Sequence, residues 1–100
     1  MNILKLTNGK LELRKDNGSL IRILASSGVT DADLNNDGTM VIITTDKGKI
    51  ELRKESGSLI RTITSSGGKS AKFSGSDLII NLTNGKTELR RESGSLIRTL

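Results

Sequence analysis

The 100 residues contain no cysteine, histidine, tryptophan or tyrosine, and Phe73 is the sole aromatic. Without a thiol there is neither a disulfide framework nor a thiolate metal site, and the redox compartment is unreadable. The commonest general base, the thiol nucleophile and the phenolic acid are missing together. Asp31 and Asp33 apart, the Asp and Glu residues sit in turns or on strands near Lys or Arg. No catalytic constellation is therefore recognised, and the expectation is that the chain is not an enzyme. The dearth of aromatics removes the stacking platforms that single-strand nucleic-acid readers use, so nucleic acid is a disfavoured partner. No apolar run approaches the roughly 18–20 residues of a membrane helix. Met1-Asn2-Ile3-Leu4-Lys5 lacks a basic segment followed by an apolar one, so no signal peptide or transmembrane segment is recognised and a soluble protein is expected.

What is present is Leu, Ile and Val for a core, and a formal charge of +5. A chain this short buries a modest fraction of its surface, which leaves oligomerisation as a source of stability. The positive charge is read first as Lys and Arg guarding sheet edges, and second as attraction for a polyanion.

One unit recurs three times. Gly9-Lys10-Leu11-Glu12-Leu13-Arg14 followed by Gly18-Ser19-Leu20-Ile21-Arg22 returns as Gly48-Lys49-Ile50-Glu51-Leu52-Arg53 with Gly57-Ser58-Leu59-Ile60-Arg61. It returns again as Gly85 through Glu88, Leu89 and Arg90 with Gly94-Ser95-Leu96-Ile97-Arg98, the first glycines lying 39 and then 37 residues apart. That period is close to the roughly 40–45 residues of a four-stranded propeller blade. Turn formers and alternation predict strands near residues 2–7, 10–15, 20–24, 29–34, 40–45, 49–54, 59–64, 70–74, 78–82, 86–91 and 96–100. Asn2 to Gly9 aligns with Leu78 to Gly85, so the first copy starts at its second strand. The domain reading is an incomplete blade over 1–24, a blade over 25–64 and a blade over 65–100. Val41-Ile42-Ile43 and Leu78-Ile79-Ile80 are apolar at successive positions, which requires cover on both faces and hence stacked sheets.

The unit resembles a WD-repeat blade. The resemblance rests on a first strand ending in Asn36-Asp37-Gly38, a second ending in Asp46-Lys47-Gly48, and the pair Ile50-Glu51-Leu52 and Gly57 to Ile63. It implies an all-β, β-propeller-like fold of antiparallel four-stranded blades with a general habit of protein binding; since about three per chain are too few to close, the blades are expected to be assembled by oligomerisation. Arg53-Lys54 stand where that family carries Trp-Asp, and no Gly-His dipeptide precedes the first strand, so no functional residue is carried over.

Three features are candidate sites. Asp31, Asp33, Asn35, Asn36 and Asp37 look like a calcium loop, but Asn36 and Ile42 stand where an EF-hand carries Gly and an acid, so a plain Asx-rich turn is expected and no metal or cofactor. Arg22, Arg61 and Arg98 alternate with apolar neighbours and form a candidate ligand ring at the blade interfaces, against the plainer reading that Glu and Arg pair across strands three and four. Ile3, Leu4, Leu6, Leu96 and Leu100 are candidate interface residues, because the first blade lacks its first strand and the last strand has no tail to cover it. The functional expectation is a non-enzymatic structural or interaction module that self-assembles, a closed dimer of about six blades first and an open-ended filament second, as a scaffold for another protein. The alternative is a propeller binding a glycan or anionic ligand in repeated pockets between blades.

Overall fold

The computed structural model describes residues 2–100. Among the described residues the chain is all-β, with eleven strands: β1 (Asn2–Thr7), β2 (Lys10–Lys15), β3 (Leu20–Ala25), β4 (Val29–Leu34), β5 (Met40–Thr45), β6 (Ile50–Lys54), β7 (Leu59–Thr64), β8 (Gly68–Ser74), β9 (Asp77–Leu82), β10 (Thr87–Arg91) and β11 (Leu96–Thr99). They form a three-stranded sheet β1-β2-β3 and two four-stranded sheets, β4-β5-β6-β7 and β8-β9-β10-β11, each an antiparallel meander. We call these blades 1, 2 and 3. The strands fall within two residues of those expected from alternation, β8 starting earliest relative to expectation. No helix among the described residues is long and apolar enough to cross a membrane.

Two apolar seams join the blades. Leu11, Val29, Val41 and Ile43 are buried in the first, with Leu4, Leu24, Ala25, Ala32 and Leu34 packed against them. Ile42, Ile50, Ala71, Leu78 and Ile80 are buried in the second, with Ile63, Phe73 and Leu82. Successive residues of β5 thus point into different seams, which is why its apolar run does not alternate with polar residues. Backbone bonds stitch the seams at one end: Val29 N–H donates to Gly9 C=O at 3.0 Å and Gly68 N–H to Gly48 C=O at 2.8 Å.

One expectation needs correction. The pentapeptide Leu-Thr-Asn-Gly-Lys occurs at 6–10 and at 82–86, yet it makes two different turns. Thr7 pairs directly with Lys10 across a two-residue loop in which both Asn8 (φ 51°) and Gly9 (φ 81°) are left-handed, as a turn matched to strand twist requires. In blade 3, Leu82 N–H instead reaches Lys86 C=O and only Gly85 is left-handed. The first loop is one residue shorter, so Ile3 opposes Arg14 just as Val41 opposes Arg53 and Leu78 opposes Arg90. In space Ile3, not Asn2, matches Leu78, and Lys5 matches Ile43 and Ile80. A one-residue slip turns every side chain to the other face. The aligned register would have driven Lys5 into the first seam, where an unpaired ammonium is costly. The observed one sends Leu4 there and leaves Lys5 on the uncovered face.

Candidate interaction surface

The third strand of each blade carries a charged clamp. In blade 2, Arg53 donates through Nε and Nη2 to Glu51 Oε1 at 3.2 and 2.8 Å, and through Nη1 to Gly57 C=O at 2.8 Å. Lys49 Nζ lies 3.3 Å from the other carboxylate oxygen. Arg14 makes the same contacts with Glu12 and Gly18, and Arg90 with Glu88 and Gly94. A bulge at the same place in all three blades, between Leu13 and Arg14, Leu52 and Arg53, and Leu89 and Arg90, accompanies the reach of each arginine into the following turn. The expected pairing of Glu with Arg across strands three and four is thereby corrected. The partners are two apart on one strand, on the same face, and the arginine's spare nitrogen ties down the glycine turn. Burial opposes ionisation of Glu51, but the Arg53 hydrogen bonds and the Arg53 and Lys49 charges outweigh it and hold its carboxyl below the usual range. Glu12 is lowered too, first by its bond to Arg14.

Arg22, Arg61 and Arg98 lie on β3, β7 and β11, the strands at one edge of each blade, and all three are exposed. Arg61 Nη1 donates to Ser93 C=O of the next blade at 3.1 Å. All three thus lie on exposed edge strands, and Arg61 reaches from blade 2 to the Ser93 turn of blade 3.

The acidic loop residues diverge. Asn35 and Asp37 fold onto Thr39, whose hydroxyl and N–H hold the Asp37 carboxyl below its usual range. Asp31 and Asp33 turn away into the second seam, where Asp31 Oδ2 accepts from Ala71 N–H at 3.3 Å and Asp33 Oδ2 from Phe73 N–H at 2.8 Å. Two carboxylates at alternate positions of β4 thus cap the outward N–H groups along the edge of β8. No group of three or more His, Cys, Asp or Glu gathers to hold a metal among the described residues. Sequence reasoning missed this capping role. Its signal was the Asp-x-Asp spacing on a strand, which points both carboxylates to one face.

The five candidate interface residues are scattered. Leu4 packs against the first seam. Ile3 is 44% exposed on the free face of blade 1, whereas Val41 at the matching place of blade 2 is fully buried. Leu6 is 40% exposed. Leu96 and Leu100 are exposed at the outer edge of blade 3, and Leu96 repeats the equally exposed Leu20 and Leu59. Both free faces also carry polar residues at seam positions. Blade 1 presents Lys5 where blades 2 and 3 bury Ile43 and Ile80. Blade 3 presents a ladder in which Thr87 Oγ1 donates to Asn81 Oδ1 at 2.9 Å and Asn81 Nδ2 to Ser70 Oγ at 3.1 Å, and Thr87 stands where Leu11 and Ile50 are buried.

This meander of stacked blades defines the class: the fold is that of antiparallel β-propeller blades. The C-terminal WD40 domain of Sif2 superposes with a TM-score of 0.75 at 19% identity, covering 98% of this chain and 30% of that one. BamB from Moraxella catarrhalis gives 0.76 at 14% identity over 99% of this chain and 32% of that one. Saccharomyces cerevisiae Sqt1 gives 0.72 at 17% identity, over 92% and 27%. The chain therefore spans about a third of the length of these structures, and at such identities the likeness is one of fold. No protein-family model and no curated protein matches the sequence.

Proposed function

We propose that the chain is a non-enzymatic interaction module whose blade units, residues 1–24, 25–64 and 65–100, associate with a second copy head to tail and serve as a scaffold for another macromolecule. Two copies supply six blades, within the range of about four to eight at which propellers close. The observation that supports this reading is the complementarity of the two free faces. Blade 1 offers Ile3 and the cation of Lys5. Blade 3 offers Ile79 and the oxygen acceptors of Ser70, Asn81 and Thr87, with Asn81 one position from the level of Lys5 along the second strand. A cation set beside side-chain oxygens gives such a junction a register that an all-apolar seam lacks.

Native mass in solution tests it. A dimer, or a concentration-dependent ladder if rotation fails to close, is the expected result, and Ile3→Asp should dissociate it by placing a carboxylate in a desolvated contact. A compact, stably folded monomer at micromolar concentration would overturn the reading.

A further inference from the structure

We infer that the free edge of β1 is a binding site for an extended acidic segment of a partner protein, one carrying Asp or Glu at two alternate positions. In β1, Thr7 and Lys10 close the two-residue turn, so Ile3, Lys5 and Thr7 exchange backbone bonds with β2. Asn2, Leu4 and Leu6 then direct their N–H and C=O groups to the opposite edge, which no strand covers among the described residues. The matching edges of β5 and β9 are covered by β4 and β8. An entering strand antiparallel to β1 completes a four-stranded blade, the β-augmentation mode of peptide recognition.

The acidic requirement comes from the second seam. There Asp31 and Asp33 of one first strand cap the Ala71 and Phe73 N–H groups of the next. β4 pairs with β5 in the same register as β8 with β9, down to the irregularity at Val29/Asp31 and Gly68/Ser70. Ala32 and Leu34 therefore turn the equivalent N–H groups toward the place the entering strand occupies. Two carboxylates spaced as Asp31 and Asp33 are meet them, and hydrogen bonds from N–H to an ionised oxygen are stronger than neutral ones. Blade 1 supplies the complementary charge, with Lys5, Lys10, Arg14, Lys15 and Arg22 against Glu12 and Asp16. Beyond Leu34 a cleft of about 430 Å³, bounded by Asn2 and the turn at Asn36, receives the end of the segment. Asp37 and Glu55 also line that cleft, so the residue following the second acid is a neutral one.

The test uses the chain's own β4 as probe: the peptide Gly-Val-Thr-Asp-Ala-Asp-Leu-Asn, an analogue with both Asp changed to Asn, and a scrambled peptide of the same composition. Each is titrated into the whole protein while amide exchange is followed residue by residue. Saturable binding is expected, with slowed exchange at Leu4, Leu6, Ala32 and Leu34, and affinity at least about tenfold weaker for the Asn analogue. Absence of binding at millimolar peptide, equal binding of the scrambled peptide, an undiminished Asn analogue, or protection confined to other amides would each overturn the assignment. Ring closure is not needed for this site, so the native mass of the same samples reads the proposed self-association separately.

Discussion

Replacing Gly68 by alanine probes how tightly the second seam closes. Gly68 opens β8, and its N–H crosses the seam to Gly48 C=O. A Cβ built there would lie 2.5 Å from Ile50 Cγ1, 2.6 Å from Ile50 Cδ1 and 2.7 Å from the Gly48 carbonyl oxygen. Ile50 is fully buried and Gly48 O is held by its hydrogen bond, so neither neighbour has open space to move into. Overpacking of this kind costs about 1–3 kcal/mol. The loss of glycine's unfolded-state freedom returns about 0.4–1 kcal/mol. A net destabilisation of about 1–2 kcal/mol is expected, seen as a lower urea midpoint at unchanged slope. Ile50→Val removes Cδ1 and alone costs about 0.5–1.5 kcal/mol. Combined with Gly68→Ala it should cost less than the sum, by at least about 0.5 kcal/mol, because part of the obstructing side chain is gone. Complete relief is not expected, since the γ carbon that valine keeps in the place of Ile50 Cγ1 and the Gly48 oxygen both remain. Additivity within about 0.3 kcal/mol would show that the alanine methyl does not meet Ile50 Cδ1, and this account of the contact would fall.

The twin pentapeptides give a contrast read by chemical denaturation. Asn8→Gly should be close to neutral, because Asn8 already sits at φ 51°, whereas Asn84→Gly should cost about 1–2 kcal/mol by losing the Asn84 Oδ1 bond to Lys86 N–H and freeing the unfolded chain. Asp33→Ala strips the cap from Phe73 N–H and should lower stability by about 1–3 kcal/mol, while Asp33→Asn, which keeps an acceptor, should lower it less; equal losses would mean the oxygen is idle. Glu51 has a lowered folded-state pKa against an ordinary value of 4.5, so its contribution is present above that value and is lost as pH falls through the folded pKa. A Tm profile that declines in this acid range, and declines less in Arg53→Gln, is expected.

The strands were legible because each repeat marks its turns with Gly, Asn and Asp and alternates between them, and the stacking of blades was legible in Val41-Ile42-Ile43. The register of β1 was not. Leu-Thr-Asn-Gly-Lys carries no local mark of which turn it makes, and the choice falls to whether Leu4 or Lys5 enters the seam, a tertiary energy. The partner of Glu51 was misread for a related reason. Cross-strand pairing is the default on a regular sheet, but the bulge at Leu52/Arg53 re-aims the third strand so that Arg53 serves both the carboxylate and the Gly57 turn. Asp31 and Asp33 drew attention as ligands because acidic residues at alternate positions suit a cation equally well. Only the location of Ala71 and Phe73 N–H opposite them decides for backbone capping.

The two seams and the two free faces are built on different rules, and this bears on how copies meet. Each seam sets an apolar face, centred on Leu11 or Ile50, against Val41 and Ile43 or Leu78 and Ile80. At those places the free faces carry Thr87 on one side, and Ile3 and Lys5 on the other. The proposed junction between copies would therefore not be a third version of the same seam. It would bury less hydrocarbon, lean on Lys5 finding oxygen acceptors, and be weaker and more sensitive to what stands at position 5. Lys5→Ile separates the possibilities. It restores the seam residue of the other blades, and if the junction imitated a seam the change would tighten self-association. If the Ser70, Asn81 and Thr87 oxygens receive the ammonium instead, the same change removes those charge-assisted bonds and sets an isoleucine against polar groups paired only with one another, with a cost of about 1–3 kcal/mol, close to tenfold or more in the dissociation constant. Weaker association of Lys5→Ile with unchanged monomer stability is the expected outcome in sedimentation, and tighter association would refute the polar junction.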